Sequence, residues 1–324
     1  MCLILLLVSN LSSNSNKSQP QEEAPITERF EPEPQKKSSP ELSLEKTQPE
    51  PKKQETKKEE KRENIKKAEQ EKPAVSQTKP KEEKKPEPKK ADFGLDKAKN
   101  GAQLIFVFDD GGQNVEHLKK FLELPFPITV AVLPQITHSV ESAELVRKSG
   151  NELILHQPMQ SVNENINPGP GAITPDMTDE QVISQLFVNI NQIAPIAGMN
   201  NHEGSGITAD ADKMALILQM ASENGIYFLD SRTNVETQVP YVAHELGYTW
   251  YERNIFLDNE KTRDNALAEL KKGLALANKN GSVIMIGHIW SADFLPQLLQ
   301  ELYPELKAKG YTFSVVSSSK ARKN

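Results

Sequence analysis

From about Gln103 onward, short apolar runs alternate with stretches whose apolar residues recur every three or four positions. Runs of the first kind read as buried strands, and the longer periodic stretches read as amphipathic helices. The pattern predicts strands over 104–108, 128–133, 153–155, 197–199, 227–229, 282–286 and 312–316. It predicts helices between them, over 115–122, 139–149, 179–193, 210–224, 263–278 and 294–308. Thr178 and Gln181 stand at capping-box spacing where the third helix begins. Gly150, Gly225, Gly281 and Gly310 each follow a helix pattern, at the position that favours a left-handed residue. Strands and helices alternating in this way imply an α/β fold with a mainly parallel sheet. Seven or so such units fit either a single (β/α) barrel or an open doubly wound sheet.

Upstream the periodicity vanishes. Residues 17–99 are dominated by Lys, Glu, Pro, Gln and Ser. Such a segment buries too little apolar surface to offset its ordering entropy, so a disordered linker is expected there. In polyproline II, at ~3.1 Å per residue, some 75 residues reach at most about 230 Å. Residues 1–16 open with Met1-Cys-Leu-Ile-Leu-Leu-Leu-Val8. That run is shorter than the ~20 residues that span a bilayer. It resembles the back half of a signal or membrane anchor and lacks a positive n-region. An export signal ahead of a long spacer suits a domain working in the cell envelope or periplasm. Without a signal, the protein would be cytoplasmic.

Charge divides the chain along the same line. Residues 1–90 hold 20 Lys/Arg against 17 Asp/Glu, and the remainder holds 19 against 28. The two parts therefore carry +3 and −9, the overall −6 of the whole chain. An acidic domain over 100–320 argues against nucleic acid as a partner, which needs a basic face. The one cysteine, Cys2, excludes a disulfide framework and a thiolate metal site. Neither a dinucleotide fingerprint nor a Walker A loop follows the first strand.

The chemistry concentrates at strand ends. The first strand ends Phe106-Val-Phe-Asp109-Asp110-Gly-Gly112, and the third ends Leu155-His156-Gln-Pro-Met159. The fourth ends Asn200-Asn201-His202-Glu-Gly-Ser205, the fifth Phe228-Leu-Asp230-Ser-Arg232, and a late one Ile286-Gly-His288. Five strands thus end in a carboxylate or an imidazole, on the face where such folds build active sites. One carboxylate with two neutral imidazoles makes a divalent metal site, most often zinc. A further acid and a further histidine would supply proton transfer beside it.

These five motifs, in order from about Gln103 to Ser318, closely resemble the divergent polysaccharide deacetylases. The resemblance implies a deformed (β/α) barrel related to the metal-dependent chitin and peptidoglycan deacetylases. It implies Asp110, His156 and His202 as metal ligands, Asp109 as general base and His288 as general acid. It places Arg232 in the catalytic set and Asp230, Asn201 and Ser205 against substrate. The activity it implies is removal of acyl, chiefly acetyl, groups from an envelope glycan. Three positions depart from the pattern: Gln160 where an acid is common, Glu203 where Met is common, and Ile289 where proline is expected. They motivate the alternative of a non-catalytic glycan- or envelope-binding module on the same fold.

Other polar residues stay open between structural and functional roles. Arg253 and Asp258 flank a loop, and Trp250, Tyr251 and Trp290 suit either core packing or stacking on sugar rings. The loop over 163–171 is expected to form a rim that shapes access. His117, His138 and His244 read as surface residues of helix or loop.

Overall fold

The computed structural model describes residues 92–324. The expected leader at 1–16, and the linker as far as residue 91, lie outside the described residues. The last part of that linker is instead part of the domain. Leu95 is buried, and the backbone amides of Phe93 and Leu95 donate to the Glu305 carboxylate at 2.8 and 3.0 Å.

The described chain runs β1 (Gln103–Gly111), α1 (Val115–Leu122), β2 (Thr129–Val132), α2 (Ser139–Lys148), β3 (Glu152–Met159) and α3 (Asp179–Ile193). It continues β4 (Gly198–Glu203), α4 (Ala211–Glu223), β5 (Tyr227–Asp230), α5 (Val239–Leu246), β6 (Trp250–Glu252) and β7 (Ile255–Phe256). It ends α6 (Arg263–Asn280), β8 (Ser282–His288), α7 (Leu295–Ala308) and β9 (Thr312–Ser314). The predicted strands and helices all appear. The pattern does not reveal α5, β6 or β7, and strands of three and two residues are too short to show alternation.

The strands lie side by side in the order β6-β5-β4-β3-β2-β1-β8-β7, with β9 against β1, and every pairing is parallel. Only Arg253 and Asn254 separate β6 from β7. This one bent segment pairs with β5 at its start and β8 at its end, so the sheet curls back on itself. The result is the deformed (β/α) barrel, with helices outside.

Helix starts follow local chemistry. The Thr178 hydroxyl accepts from the Gln181 amide while the Gln181 side chain reaches back, a complete capping box. Asn114, Asp210 and Thr262 cap α1, α4 and α6 by accepting from amides of the first turn.

Alternation along the strands divides the apolar residues into two cores. Leu104, Phe106 and Phe108 of β1 point outward and pack under the helices, the Phe108 ring tilted 45° against Phe121 of α1 with centroids 4.4 Å apart. Ile105 and Val107 point inward with Ile154, Leu229, Tyr251, Ile284 and Ile286, and Val316 from the C-terminal segment closes that interior. Each such fully buried side chain contributes about 1.5–3 kcal/mol. Among the described residues no helix is long and apolar enough to cross a membrane.

Candidate active site

The inward series on each strand turns polar at its C-terminal end. After Ile105 and Val107 comes Asp109; after Ile154 comes His156; after Ile284 and Ile286 comes His288. On β4, Asn200 and His202 share one face. Asp109, His156, His202 and His288 crown the apolar interior and border a cavity of about 240 Å³, together with Asp110, Glu203, Phe256 and Trp290. A roomier cavity of about 470 Å³ opens at the other end of the strands, and no carboxylate or imidazole lines it. Chemistry therefore belongs to the first.

Asp110 joins the cavity through backbone geometry. Its φ of 66° is left-handed, which aspartate tolerates better than most residues, and so both neighbouring acids face one space. Gly111 makes the turn possible: a Cβ there would lie 2.8 Å from Val132 Cγ2 and 2.9 Å from the Ala131 carbonyl oxygen. Glu203 also holds a left-handed φ, of 54°, at the end of β4. For a glutamate this is a strained conformation of the kind that gathers at functional sites.

Asp110, His156 and His202 offer ligand atoms that converge. His202 Nδ1 stands 3.0 Å from His156 Nε2, and Asp110 Oδ1 lies 3.3 Å from the first and 3.5 Å from the second. Donors around a tetrahedral ion with bonds of ~2.0–2.1 Å are about 3.3 Å apart, so the triangle has the size of a zinc site. Asp110 Oδ1 is buried without a hydrogen-bond partner, an orphan that a cation would satisfy. The donor set is all nitrogen and oxygen, as a chain with one distant cysteine requires. These residues could hold a divalent metal.

Behind the triangle stands Asn200. Its Oδ1 faces His156 Nδ1 at 2.8 Å, and its Nδ2 donates to Asp109 Oδ1 at 2.9 Å. The carboxylate fixes the orientation of the amide, and the amide oxygen then demands a hydrogen on Nδ1. The Nε2 lone pair of His156 is left facing Asp110. Burial would raise the Asp110 carboxyl, but the two imidazoles beside it, His156 and His202, hold it well below the usual range. Burial also pushes the Asp109 carboxyl up, and its histidine neighbours and Asn200 offset this only in part.

His288 has different backing. Its Nδ1 lies 2.9 Å from Oδ1 of the fully buried Asp258, whose Oδ2 accepts from the His288 amide at 2.7 Å. Burial alone would lower the imidazole, yet Asp258, with Asp109 and Asp110 behind it, pushes it up to about 9. Phe256 and Trp290 sandwich the ring, with centroids 5.6 and 5.0 Å away. The Lys261 ammonium also lies over the Trp290 ring, 4.2 Å from its centroid, so this tryptophan is engaged within the protein. Trp250 and Tyr251 are buried in the two cores.

Of the remaining expected site residues, Asn201 reaches the cavity and Asp230, Arg232 and Ser205 do not. Leu229 points inward, so Asp230 points away from the cavity, and its Oδ1 accepts from the Arg232 amide. Arg232 faces Glu252 at 3.6 Å and does not line the cavity. Asn201 borders it, but its amide is engaged by Ser231 N, the Glu203 carbonyl and Thr233 Oγ1. Ser205 Oγ accepts from Val162 N and ties loops together outside the cavity. Two residues that the pattern leaves unassigned stand directly behind the site, Asn200 and Asp258. Asn200 could have been found by its parity with His202. The loop over 163–171 does border His202, through Asn167–Pro170. Of the other histidines, His117 is half-buried on α1, His138 pairs with Glu141 before α2, and His244 sits on α5 instead of in a loop.

With this geometry in hand, comparison with other proteins gives a consistent result. The family described as divergent polysaccharide deacetylase matches residues 106–319. An uncharacterized protein, YibQ, of Escherichia coli K12 is 30% identical over 206 residues, covering 63% of this chain and 64% of that protein. An uncharacterized Haemophilus influenzae protein is 30% identical over 187 residues, covering 58% and 66%. The matches thus span just under two thirds of these relatives' lengths. Among solved structures, an uncharacterized protein of Agrobacterium tumefaciens C58 superposes with a TM-score of 0.62 at 18% identity, covering 71% of this chain and 92% of that one.

Proposed function

The chain belongs to the divergent polysaccharide deacetylase family, and from that membership we propose that it is a metal-dependent hydrolase removing acyl groups from a cell-envelope glycan. The observation that carries the reading is the convergence of Asp110, His156 and His202 beside a separate acid, Asp109, and a separate histidine, His288. A zinc ion held by the first three would polarise the acyl carbonyl and make water acidic enough to lose a proton near neutral pH.

The chain's own groups then divide the proton work. Asp109, held through one oxygen by Asn200, accepts the proton of the attacking water. Its burial makes it a stronger base than a solvated carboxylate. His288 is charged at neutral pH and gives its proton to the departing amine or alkoxide. The two residues are register partners on β1 and β8, so they flank the same reacting bond. Asp258 holds the His288 ring and balances its charge. The envelope location rests on the leader-like residues 1–16 and the spacer-like residues 17–99.

The test is acetate release by the zinc-loaded full chain from acetylated chito-oligomers and from peptidoglycan. Asp109→Asn should lower the rate by about 10²–10⁴-fold. Release that Asp109→Asn leaves unchanged would overturn the mechanism. Glu203 adds an acid to the cavity beside the proposed ligand His202, which favours the binding-module alternative. Glycan binding with no release from any acetylated glycan would select that alternative.

A further inference from the structure

A second cleft of about 220 Å³ adjoins the metal triangle, and His202 lines both spaces. One wall is Leu133, Pro134 and Ile136 after β2; the other is Pro158 with Pro168 and Pro170 of the loop after β3. Gln113 and Asn167 are the polar side chains besides His202. Proline offers no amide hydrogen, so a sugar ring placed here would lose its water and find few partners beyond Gln113, Asn167 and His202. An alkyl chain would gain, by about fourfold for each methylene buried.

The cleft is preformed. Gly171, at the end of the prolyl loop, offers its carbonyl to Gln157 Nε2 at 2.9 Å and to Asn189 Nδ2 at 2.8 Å. Asn189, on α3, is fully buried, and its Oδ1 accepts from Gln135 Nε2 at 2.7 Å. Gln135 lies between Pro134 and Ile136, so one buried amide ties both walls. Gly171 leaves no room for a side chain: a Cβ would stand 2.7 Å from Asn189 Oδ1. A pocket held this firmly binds without first ordering its walls.

Its size exceeds what an acetyl group needs. At about 30 Å³ per water, the space equals roughly seven waters, against about one for a methyl group. Resting on the hydrolase reading above, we propose that this cleft receives the alkyl chain of the acyl group. The substrate is then a glycan bearing acyl chains of roughly four to seven carbons. In the reaction the water oxygen bonds to the acyl carbon, the carbon–nitrogen or carbon–oxygen bond breaks, and the sugar leaves with a proton. The products are a medium-chain carboxylate and a free amine or hydroxyl.

The experiment compares N-acetyl- and N-hexanoyl-glucosamine oligomers as substrates of the zinc-loaded full chain, and titrates hexanoate and acetate into the zinc-free chain by calorimetry. The hexanoyl substrate should show kcat/KM at least about tenfold higher, from the four added methylenes. Hexanoate should bind and acetate should not. Ile136→Trp, or Pro168→Trp should the first variant fail to fold, fills the cleft and should cut the hexanoyl-to-acetyl ratio about tenfold and remove hexanoate binding. Equal or preferred acetyl hydrolysis without hexanoate binding overturns the cleft assignment and leaves the hydrolase reading standing. Hexanoate binding that Ile136→Trp abolishes, with no hydrolysis at either chain length, sinks the hydrolase reading and keeps the cleft. Neither hydrolysis nor binding overturns both.

Discussion

Three imidazoles crown the same rim and differ in what stands behind them. His156 is backed by the neutral amide of Asn200, and His202 faces it across 3.0 Å with Asp110 beside both. His288 is backed by the buried carboxylate of Asp258. A neutral backing amide fixes a tautomer and leaves the opposite nitrogen as a lone-pair donor, which is what a metal needs. A carboxylate instead holds the ring in its charged form, which is what an acid needs. The same side chain is thus given two tasks by one atom behind it.

The contrast breaks most sharply at Asp110. Asp110→Ala removes the one anionic donor of the triangle, and zinc affinity should fall by more than about 100-fold in a chelator competition. Unchanged affinity would mean that the metal sits elsewhere. Next is Asp258→Asn, which gives His288 the neutral backing of His156. The alkaline limb of the rate profile should move from about 9 toward the ordinary histidine value near 6.5. At pH 8 this predicts a loss of about thirtyfold in kcat/KM with zinc binding intact. A limb that stays in place refutes the backing account.

The same pair sets a stability trend. The folded state raises the His288 value above its unfolded one, so the stabilisation is complete below about pH 6.5 and is lost as pH rises through about 9. The Tm of the metal-free chain should decline across that window, and less so in Asp258→Asn. Smaller again is Asn200→Ala, expected to weaken zinc roughly tenfold by releasing His156. The smallest effect belongs to Arg232→Ala. Its half-exposed contact with Glu252 contributes no more than about 1 kcal/mol, and activity should change less than about threefold. A large loss there would return Arg232 to the catalytic set.

How far the sequence could be read depended on whether the signal was local. Asp109, His156 and His288 extend inward-facing series that are visible as alternation along their own strands, and β1, β3 and β8 were placed accordingly. Parity also explains why Asp230, one step from inward-facing Leu229, leaves the cavity. Resemblance at the motif level does not carry parity, which is why it implies Asp230 and Arg232 at a cavity that neither lines. Asp258 could not be found this way. It lies 30 residues before His288, in an irregular segment, and meets it only because β7 pairs with β8.

The amino-acid sequence by itself determined the alternation of strands and helices, the capped helix starts, the polar strand ends and the division between a mixed-charge N-terminal segment and an acidic domain. Each follows from neighbours a few residues apart, where side-chain direction is set by the backbone repeat. Only the tertiary structure decided that the β6–β7 segment closes the sheet, that His156 and His202 face each other over Asp110, and that Asp258 charges His288. Those contacts join distant strands, and their distances are set by register and curvature, which no local pattern records.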